Sequence, residues 1–417
     1  MKNVVRHIVT GTLMLLVLCG TSCSHDTETF GISDEETTLS IGFRLPTRSP
    51  KVSEGYEAGE TYENYIDIEN NNYRIYFFTS DNKFIARFEP EGFVVAEGSD
   101  YRDYGVLGKA PTALANHKNF KMVVLANWPQ YGDDTMKAGE TLLADICDAG
   151  WGQFDRFSSF ELGPERLIPF YGVHEYNDIE FKAGEITLLP EPVTLLRAVA
   201  KVEVILKTDD HFDLSFSEVK ICRYNKKGYC APKDVLSQDD YDHGGEWNSD
   251  YVSGLHLVED DNDVEEKIQD FRFASQWAGT DGNQYEKWIA YLTEYRNIDA
   301  GDKYSCIEVR LDAQTGEDEP HKVYFASYDE SGKTDNSDNT KRFDISRNNL
   351  YRFTITVREN RLTVNVQEWK YAYDNEYTFD LYETLLFIIH TSSGNHRNVW
   401  LYGRTATGDK WNERSSS

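Results

Sequence analysis

The residue best placed for chemistry is a cysteine close to the N-terminus. The first charged residues are Lys2 and Arg6, an apolar run occupies residues 8–19, and the small residues Gly20-Thr21-Ser22 lead directly to Cys23. This order is typical of a secretory signal peptide, and the apolar run is too short for a transmembrane span. Cys23 directly follows this signal and is therefore the first candidate for covalent modification.

The small residues before Cys23 resemble the lipobox of bacterial lipoproteins. That resemblance implies cleavage before Cys23 and several acyl chains on it, which anchor a protein stably where a single chain does not. Gly20 stands where many lipoboxes have Leu, and Cys19 is an alternative site, although Leu18 before it is bulky. The other interpretation is an ordinary secretory signal with an incidental cysteine. We predict that residues 1–22 are a lipoprotein signal peptide and that Cys23 is the lipidation site.

Charge separates the classes of partner. Residues 23–38 are polar and acidic, which predicts a flexible tether and resembles the surface-export signal of some outer-membrane lipoproteins. The whole chain has 43 Lys+Arg against 71 Asp+Glu, a net charge of −28. Such a surface repels phosphate backbones and anionic lipid headgroups, so we predict no nucleic-acid partner and no attachment through a basic patch.

Catalytic and metal-binding patterns are missing from the sequence. It contains no Gly-rich phosphate loop, no His-Glu-x-x-His and no Gly-x-Ser-x-Gly. Residues 259–263 resemble a calcium loop in composition, but the Gly at the sixth position and the spaced terminal Glu are absent. We therefore predict no enzyme activity, no cofactor and no metal site.

Four further cysteines leave their redox state open. Cys222 and Cys230 are spaced so that they could bridge a hairpin, and export would permit disulfides. The spacings do not fit a zinc site. The alternative is buried thiols at Cys147, Cys222, Cys230 and Cys306.

The elements that carry these residues are predicted to be strands. The chain of 417 residues is rich in Tyr and Phe, which favours strands and suggests two domains. We predict an all-β, β-dominated fold of two β-sandwich domains with few short helices, one of them within residues 136–162. Alternating or continuous apolar runs mark the main strands, at residues 39–45, 73–78, 84–88, 120–128, 193–206, 351–357 and 362–369.

A proline-containing segment marks the predicted limit between the two domains. Pro190-Glu191-Pro192 interrupts the chain just before the long apolar run, and we place the boundary there. The predicted units are an N-terminal sandwich over residues 39–192, a C-terminal sandwich over 193–370, and a C-terminal extension over 371–417.

Four sequence motifs follow one another between residues 168 and 369. They are Ile168-Pro169-Phe170-Tyr171-Gly172, the strand 196–204, Ala290-Tyr291-Leu292-Thr293-Glu294 with Asn297, and Ile345-Ser346-Arg347-Asn348-Asn349-Leu350-Tyr351 with the hairpin that closes at 366–369. In this order they resemble the fimbrillin family, the pilins of lipoprotein-derived pili in anaerobic Gram-negative bacteria. In the third motif, Tyr295 and Arg296 intervene before Asn297, which departs from the family pattern.

The resemblance implies two sandwiches of transthyretin-like topology and assembly into a fimbrium. In this family an arginine-specific protease removes the first strand, and a C-terminal strand of a neighbouring subunit fills the groove. Strand addition of this kind gains main-chain hydrogen bonds and inserts alternate side chains into pockets. The implied partners are other fimbrial subunits, the outer membrane through lipid on Cys23, and a ligand on a host or bacterial surface.

Carried onto this sequence, the scheme needs an exposed arginine just after the first strand. Arg48, between Pro46 and Pro50, fits best, and Arg44 fits less well because it lies inside the strand. The alternating side chains of the extension are candidates for the donor strand, unless that segment forms edge strands of the second domain. These donor candidates are Val399, Leu401, Tyr377 and Phe379.

Three other roles stay open at this stage. The chain could be the anchor or tip subunit of the same pilus, or a monomeric surface lipoprotein that binds glycan or host protein. An exported hydrolase would need paired carboxylates in a cleft, and the many acidic residues do not single out such a pair.

Overall fold

The structure is a computed structural model. It describes residues 37–46, 61–97, 101–148, 152–155, 162–208, 215–232, 264–268, 271–278, 284–298, 300, 304–312, 320–328, 342–358, 361–370, 387–393, 396–402 and 414–415. The predicted all-β fold is confirmed, because strands dominate these residues. Cys23, Arg48, Tyr377 and Phe379 lie outside the described residues.

Two sheets form the first sandwich, with strands numbered in chain order. The first sheet contains β1 (Thr38–Pro46), β4 (Pro90–Glu97), β5 (Tyr101–Lys109), β9 (Ile186–Leu188) and β10 (Val193–Thr194), in the order β10-β1-β5-β4, with β9 also on β1. The second contains β2 (Tyr73–Thr79), β3 (Phe84–Phe88), β6 (Phe120–Ala126), β8 (Phe170–Tyr176) and β11 (Leu196–Arg197), in the order β11-β8-β6-β2-β3.

Two further sheets form the second sandwich. One contains β12 (Ala200–Thr208), β16 (Arg272–Ala278), β17 (Gln284–Leu292), β20 (Asn349–Arg358) and β21 (Arg361–Lys370), in the order β16-β17-β12-β20-β21. The other contains β13 (Phe216–Asn225), β15 (Val264–Ile268), β18 (Cys306–Leu311) and β19 (His321–Tyr324), in the order β15-β13-β18-β19.

Smaller elements complete the described structure. The strand β7 (Gln153–Asp155) pairs with β14 (Lys227–Tyr229), and β22 (Phe387–Ser393), β23 (His396–Tyr402) and β24 (Arg414–Ser415) form a three-stranded sheet. The one described α-helix, α1 (Leu143–Asp148), lies within the predicted interval. The short 3-10 helices are Thr61–Asn64, Leu114–Asn116 and Asp133–Thr135.

Each sandwich has its own apolar core, built by the two-residue period of its strands. The first core takes Leu39, Ile41 and Phe43 from β1 together with the inward side chains of the second sheet. It also includes Ile289 and Tyr291 of β17, so the two sandwiches are in contact. The second core gathers side chains of β12, β13, β18 and β20.

The change from one pair of sheets to the other falls between Arg197 and Ala200. Residues 193–197, which we assigned to the C-terminal domain, pair with β1 and β8 of the first sandwich. The sheet pairing thus changes a few residues after the predicted limit at 192, because the prolines there precede two short strands rather than a linker. The domain limits and the transthyretin-like topology stay predictions.

Candidate assembly groove and the junction between the sandwiches

The strand β1 lies inside the first sheet and contributes a row of apolar side chains to the core. Leu39, Ile41, Phe43 and Leu45 are at most 2% exposed, as their strict alternation predicts. Phe43 stacks on Tyr104 of β5 with ring centroids 4.8 Å apart. The strand therefore occupies a deep trench and is not a surface ribbon.

The two neighbours of β1 differ greatly in length. On one side it pairs antiparallel with β5 from end to end, Thr38 opposite Lys109 and Pro46 opposite Tyr101. On the other it pairs in parallel with β9 and β10, which have three and two residues. Removing β1 would leave unpaired backbone groups on both walls of the trench, a template for another strand.

One ion pair lies on the face of β1 that points away from the core. Arg44 donates from Nε to Asp103 Oδ1 at 2.6 Å and from Nη2 to Oδ2 at 2.8 Å, a bidentate geometry. Both residues are buried, with 4% and 6% exposed. Burial raises the pKa of Asp103 above its usual value, although the Arg44 guanidinium opposes that shift.

The structure gives Arg44 a role that the sequence did not show. It is buried within β1 and paired with Asp103. Arg48 follows the last described residue of β1, Pro46, by two positions. Cleavage after Arg48 and lipidation of Cys23 stay predictions.

The donor candidates in the C-terminal extension have only partly described surroundings. Val399 and Leu401 lie on β23, where they pair with His390 and Ile388 of β22. In this arrangement the segment is engaged in its own small sheet. Its use as a donor strand would require that hairpin to open.

The four sequence motifs meet at the junction of the two sandwiches. At Gly172 a Cβ atom would lie 2.5 Å from the carbonyl oxygen of Thr194, so the first motif needs glycine where β8 passes close to β10. Asn348 adopts a φ of 56°, and its side-chain oxygen accepts a hydrogen bond from the Arg197 guanidinium at 3.1 Å. The second and fourth motifs are thereby joined.

Arg347 is the centre of the third and fourth motifs. Its guanidinium is fully buried and donates to both carboxylate oxygens of Glu294 at 2.8 Å. It also donates to the carbonyl oxygens of Tyr229 and Cys230 at 3.0 Å. A buried charge satisfied in this way fixes several segments at once, and removing it leaves a carboxylate without compensation.

Glu63 connects the first sandwich to the second. It lies on the 3-10 helix at 61–64 and accepts a hydrogen bond from the Tyr291 hydroxyl. Lys201 of β12 places its Nζ 2.5 Å from Glu63 Oε1, and Arg197 donates to the Glu63 carbonyl oxygen at 3.3 Å. All four residues are buried, so this cluster holds the junction through charge as well as apolar contact.

The cluster continues along the outer face of β12. Glu203 lies 2.7 Å from the Arg352 guanidinium and 3.6 Å from Lys201 Nζ. Burial raises the pKa of Glu203, but the nearby Lys201, Arg352 and Lys287 lower it to about 2. The carboxylate is therefore held ionised in a water-excluded position.

Asp103, Glu63 and the Glu294–Arg347 pair were missed by sequence reasoning as functional or structural centres. Glu294 and Arg347 did belong to the quoted motifs, but their contact did not follow from the motifs. Asp103 and Glu63 lie in unremarkable polar stretches, and only pairing with distant strands makes them buried ion partners.

The described cysteine side chains are buried thiols. Cys230 packs into the first core, and burial raises the pKa of its thiol. Cys222 of β13 lies directly opposite Cys306 of β18. The side chain of Cys147 is outside the described residues.

Among the described residues, no three His, Cys, Asp or Glu side chains gather as a metal site would require. Within that same part of the chain, no helix has the length and hydropathy to cross a membrane.

Comparison with known proteins gives structural neighbours only. No protein-family model matches the chain, and neither does any curated protein. The tip fimbrial protein Mfa3 from Porphyromonas gingivalis matches with 11% identity and a TM-score of 0.47, over 80% of this chain and 99% of that one. A Bacteroides uniformis protein proposed to act in cell adhesion matches with 11% identity and a TM-score of 0.38, over 80% and 98%.

A fimbrial protein from Bacteroides vulgatus matches with 10% identity and a TM-score of 0.32, over 80% of this chain and 99% of that one. These neighbours are fimbrial and adhesion proteins of the class that the sequence motifs resemble. At these identities and TM-scores the likeness by itself assigns no function.

Proposed function

We propose that this protein is a structural subunit of a surface fimbrium that serves adhesion and is exported as an outer-membrane lipoprotein. In this proposal cleavage after Arg48 releases β1, and a strand of the next subunit takes its place. The observation that carries the proposal is the position of β1, which fills an apolar trench between β5 and the short strands β9 and β10. No catalysis is needed for such a role.

The energetics of this exchange follow from the trench. An incoming strand regains the main-chain hydrogen bonds that β5 made to β1, and it buries apolar side chains at the positions of Leu39, Ile41 and Phe43. Burying a side chain of that size contributes about 1.5–3 kcal/mol. Several such side chains on one strand support a joint that does not open readily.

The proposed partners follow from the same scheme. Lipid on Cys23 would hold the precursor at the outer membrane, and other fimbrial subunits would supply the incoming strand. The extension after residue 370, with Val399 and Leu401 or Tyr377 and Phe379, is the proposed donor. A ligand on a host or bacterial surface would be bound by the assembled fimbrium.

A second role is favoured by one observation. The strands β22, β23 and β24 pair with one another, so the extension forms a sheet of its own. A tail engaged in this way suits an anchor or tip subunit, or a monomeric surface lipoprotein that binds glycan or host protein. In that role the chain would not polymerise.

The test uses the full chain with Cys23→Ser, before and after treatment with an arginine-specific protease. Mass spectrometry would locate the clip, and electrophoresis in SDS without heating would reveal polymers. We expect one clip after Arg48 followed by a ladder of oligomers, and Arg48→Gln should abolish both. The matched control Arg166→Gln, at a partly exposed arginine of the same sandwich, should leave both unchanged.

A clipped chain that stays monomeric would favour the anchor or tip role. Resistance of the chain at Arg48 would favour the monomeric surface lipoprotein.

A further inference from the structure

The outer face of β1 carries one charge. The strand reads TLSIGFRLP, so Ser40, Gly42 and Arg44 are the residues between its inward apolar side chains. Ser40 and Gly42 are small and neutral, and Arg44 alone makes a charged contact across to β5. The inward positions require only apolar side chains of suitable size, which any strand with alternating apolar residues provides.

Asp103 loses its cationic partner, Arg44, when β1 departs. Arg44 supplies two hydrogen bonds to its carboxylate, one to each oxygen. A replacement strand would again cover Asp103, and a buried carboxylate that lacks a cation is costly. Specificity in strand pairing often comes from such a penalty against the wrong partner.

We infer that Asp103 selects the charge of the incoming strand, which carries Lys or Arg at the position that Arg44 holds in β1. This inference rests on the proposed strand exchange and specifies the chemistry of the partner. The partner is an extended segment with apolar side chains at the positions of Leu39, Ile41 and Phe43 and a cation directly after the last of them.

The chain's own extension contains a segment that meets the charge condition. With Val399 and Leu401 at the positions of Leu39 and Ile41, Arg404 falls at the position of Arg44. Gly403 would then face Tyr104, so part of the aromatic pocket that Phe43 fills would stay empty. The requirement for a cation opposite Asp103 therefore favours this segment of a second copy as the incoming strand. Because the pocket of Phe43 would be only partly filled, we expect the segment to bind more weakly than β1 does.

The experiment measures peptide binding to the opened groove. A recognition sequence for a site-specific protease replaces residues 49–55 of the full chain, and the clipped protein is mixed with fluorescent peptides. The peptides have the β1 sequence, the same sequence with Arg44→Gln, and a control with Thr38→Gln at the start of the strand. Each is titrated by fluorescence anisotropy against the parent protein and its Asp103→Asn variant.

We expect the Arg44→Gln peptide to bind the parent about tenfold more weakly than the β1 peptide, and the control to bind as β1 does. Asp103→Asn should reduce the difference between the Arg and Gln peptides to less than about threefold, since a neutral amide needs no cation. A peptide of residues 397–407 should bind, and Arg404→Glu should weaken it by at least about tenfold.

The outcomes separate the inference from the proposed function. If the Arg and Gln peptides bind equally to the parent, strand exchange stands and charge selection by Asp103 is wrong. If even the β1 peptide fails to bind, the groove does not open and both ideas fall. If only the peptide of residues 397–407 fails, the rule holds, and this chain's own tail is excluded as the donor.

Discussion

The strands β1 and β12 hold comparable places in the two sandwiches, yet they are fixed in different ways. Each has nine residues and lies inside its sheet between an antiparallel and a parallel neighbour. The parallel side of β12 is closed by β20, a strand of ten residues, whereas β1 has only β9 and β10. On its parallel side β1 therefore has only short ladders, whereas β12 has long ladders on both sides.

Their outer faces differ in the same sense. On β12, Lys201 and Glu203 belong to a buried network that reaches Glu63 and Arg352, so the strand is tied to both sandwiches. On β1, Arg44 forms its ion pair with Asp103 of the neighbouring strand in the same sheet. The two strands are thus equally buried and differ in the length of their ladders and in the reach of their ion pairs, and this difference is why we propose that β1 rather than β12 is the strand exchanged.

The largest effect should come from the junction that fixes the second sandwich. Replacing Arg347 by Met leaves Glu294 buried without its cation, and the free energy of unfolding should fall by about 3–5 kcal/mol. Denaturant unfolding measures this, with Arg310→Met as the control because its contact to Glu218 is long and partly exposed. If both variants lost the same free energy of unfolding, the contact between Arg347 and Glu294 would not be what fixes the second sandwich.

Next in size is the loss of an aromatic side chain from β1. Phe43→Ala should destabilise the intact chain by about 3–5 kcal/mol, because Phe43 is fully buried against Tyr104. After cleavage it should also speed the release of β1, whereas Val204→Ala in β12 should cost stability without changing that release. The measurements are chemical unfolding and the rate at which the clipped segment separates on a sizing column. Similar release rates for the two variants would contradict the difference drawn between the strands.

Acid should affect the two strands in opposite directions. The pKa of Glu203 is lowered to about 2, so its ionised form stabilises the fold above the unfolded pKa, and that contribution is lost as the pH falls towards 2. The pKa of Asp103 is raised, so its charge costs stability at neutral pH, and protonation relieves that cost as the pH falls through its folded value.

The measurement is the free energy of unfolding between about pH 5 and 2 for the parent, Glu203→Gln and Asp103→Asn. In the parent the free energy of unfolding should decrease as the pH falls, and Glu203→Gln should make that decrease smaller by about 3 kcal/mol. Asp103→Asn should make the decrease slightly larger. A Glu203→Gln profile parallel to that of the parent would show that Glu203 is not the group responsible.

The smallest effect should be at the edge of the first sheet. Val95 lies on the edge strand β4 and is 48% exposed, so Val95→Thr should change the free energy of unfolding by less than about 0.5 kcal/mol. Thermal unfolding checks this, with Phe43→Ala as the internal reference. A loss close to that of Phe43→Ala would mean that β4 is covered by a partner in solution.

Local patterns accounted for most of the strands. The alternation in residues 39–45, the hairpin of β2 and β3, and the final hairpin of β20 and β21 were predicted because side chains on a strand alternate with a period of two. The short strands β10 and β11 were not separated from the predicted strand at residues 193–206. Strands of two or three residues exist only through their partners, so their own sequence has no period to detect.

The candidate site shows the same division. The sequence singled out Arg44 as an arginine near the end of a strand, and it had no means to pair it with Asp103, 59 residues later. It quoted Glu294 and Arg347 within motifs, and their bidentate contact spans 53 residues. Contacts of that separation depend on sheet register, which local composition does not specify.

The sequence by itself determined a β-rich body with an arginine after its first strand, and it predicted an export signal with a lipidation motif and no nucleic-acid partner. These features are local, because charge, apolar runs and strand period are properties of neighbouring residues. Only the tertiary structure decided that β1 lies inside its sheet with only short strands on its parallel side, and that Asp103 faces Arg44. It also decided that the motifs converge on Glu63, Lys201 and Arg347. These features arise where distant strands pair and exclude water. A charge that is buried there is unfavourable unless an opposite charge lies beside it, so the fold decides which residues form ion pairs.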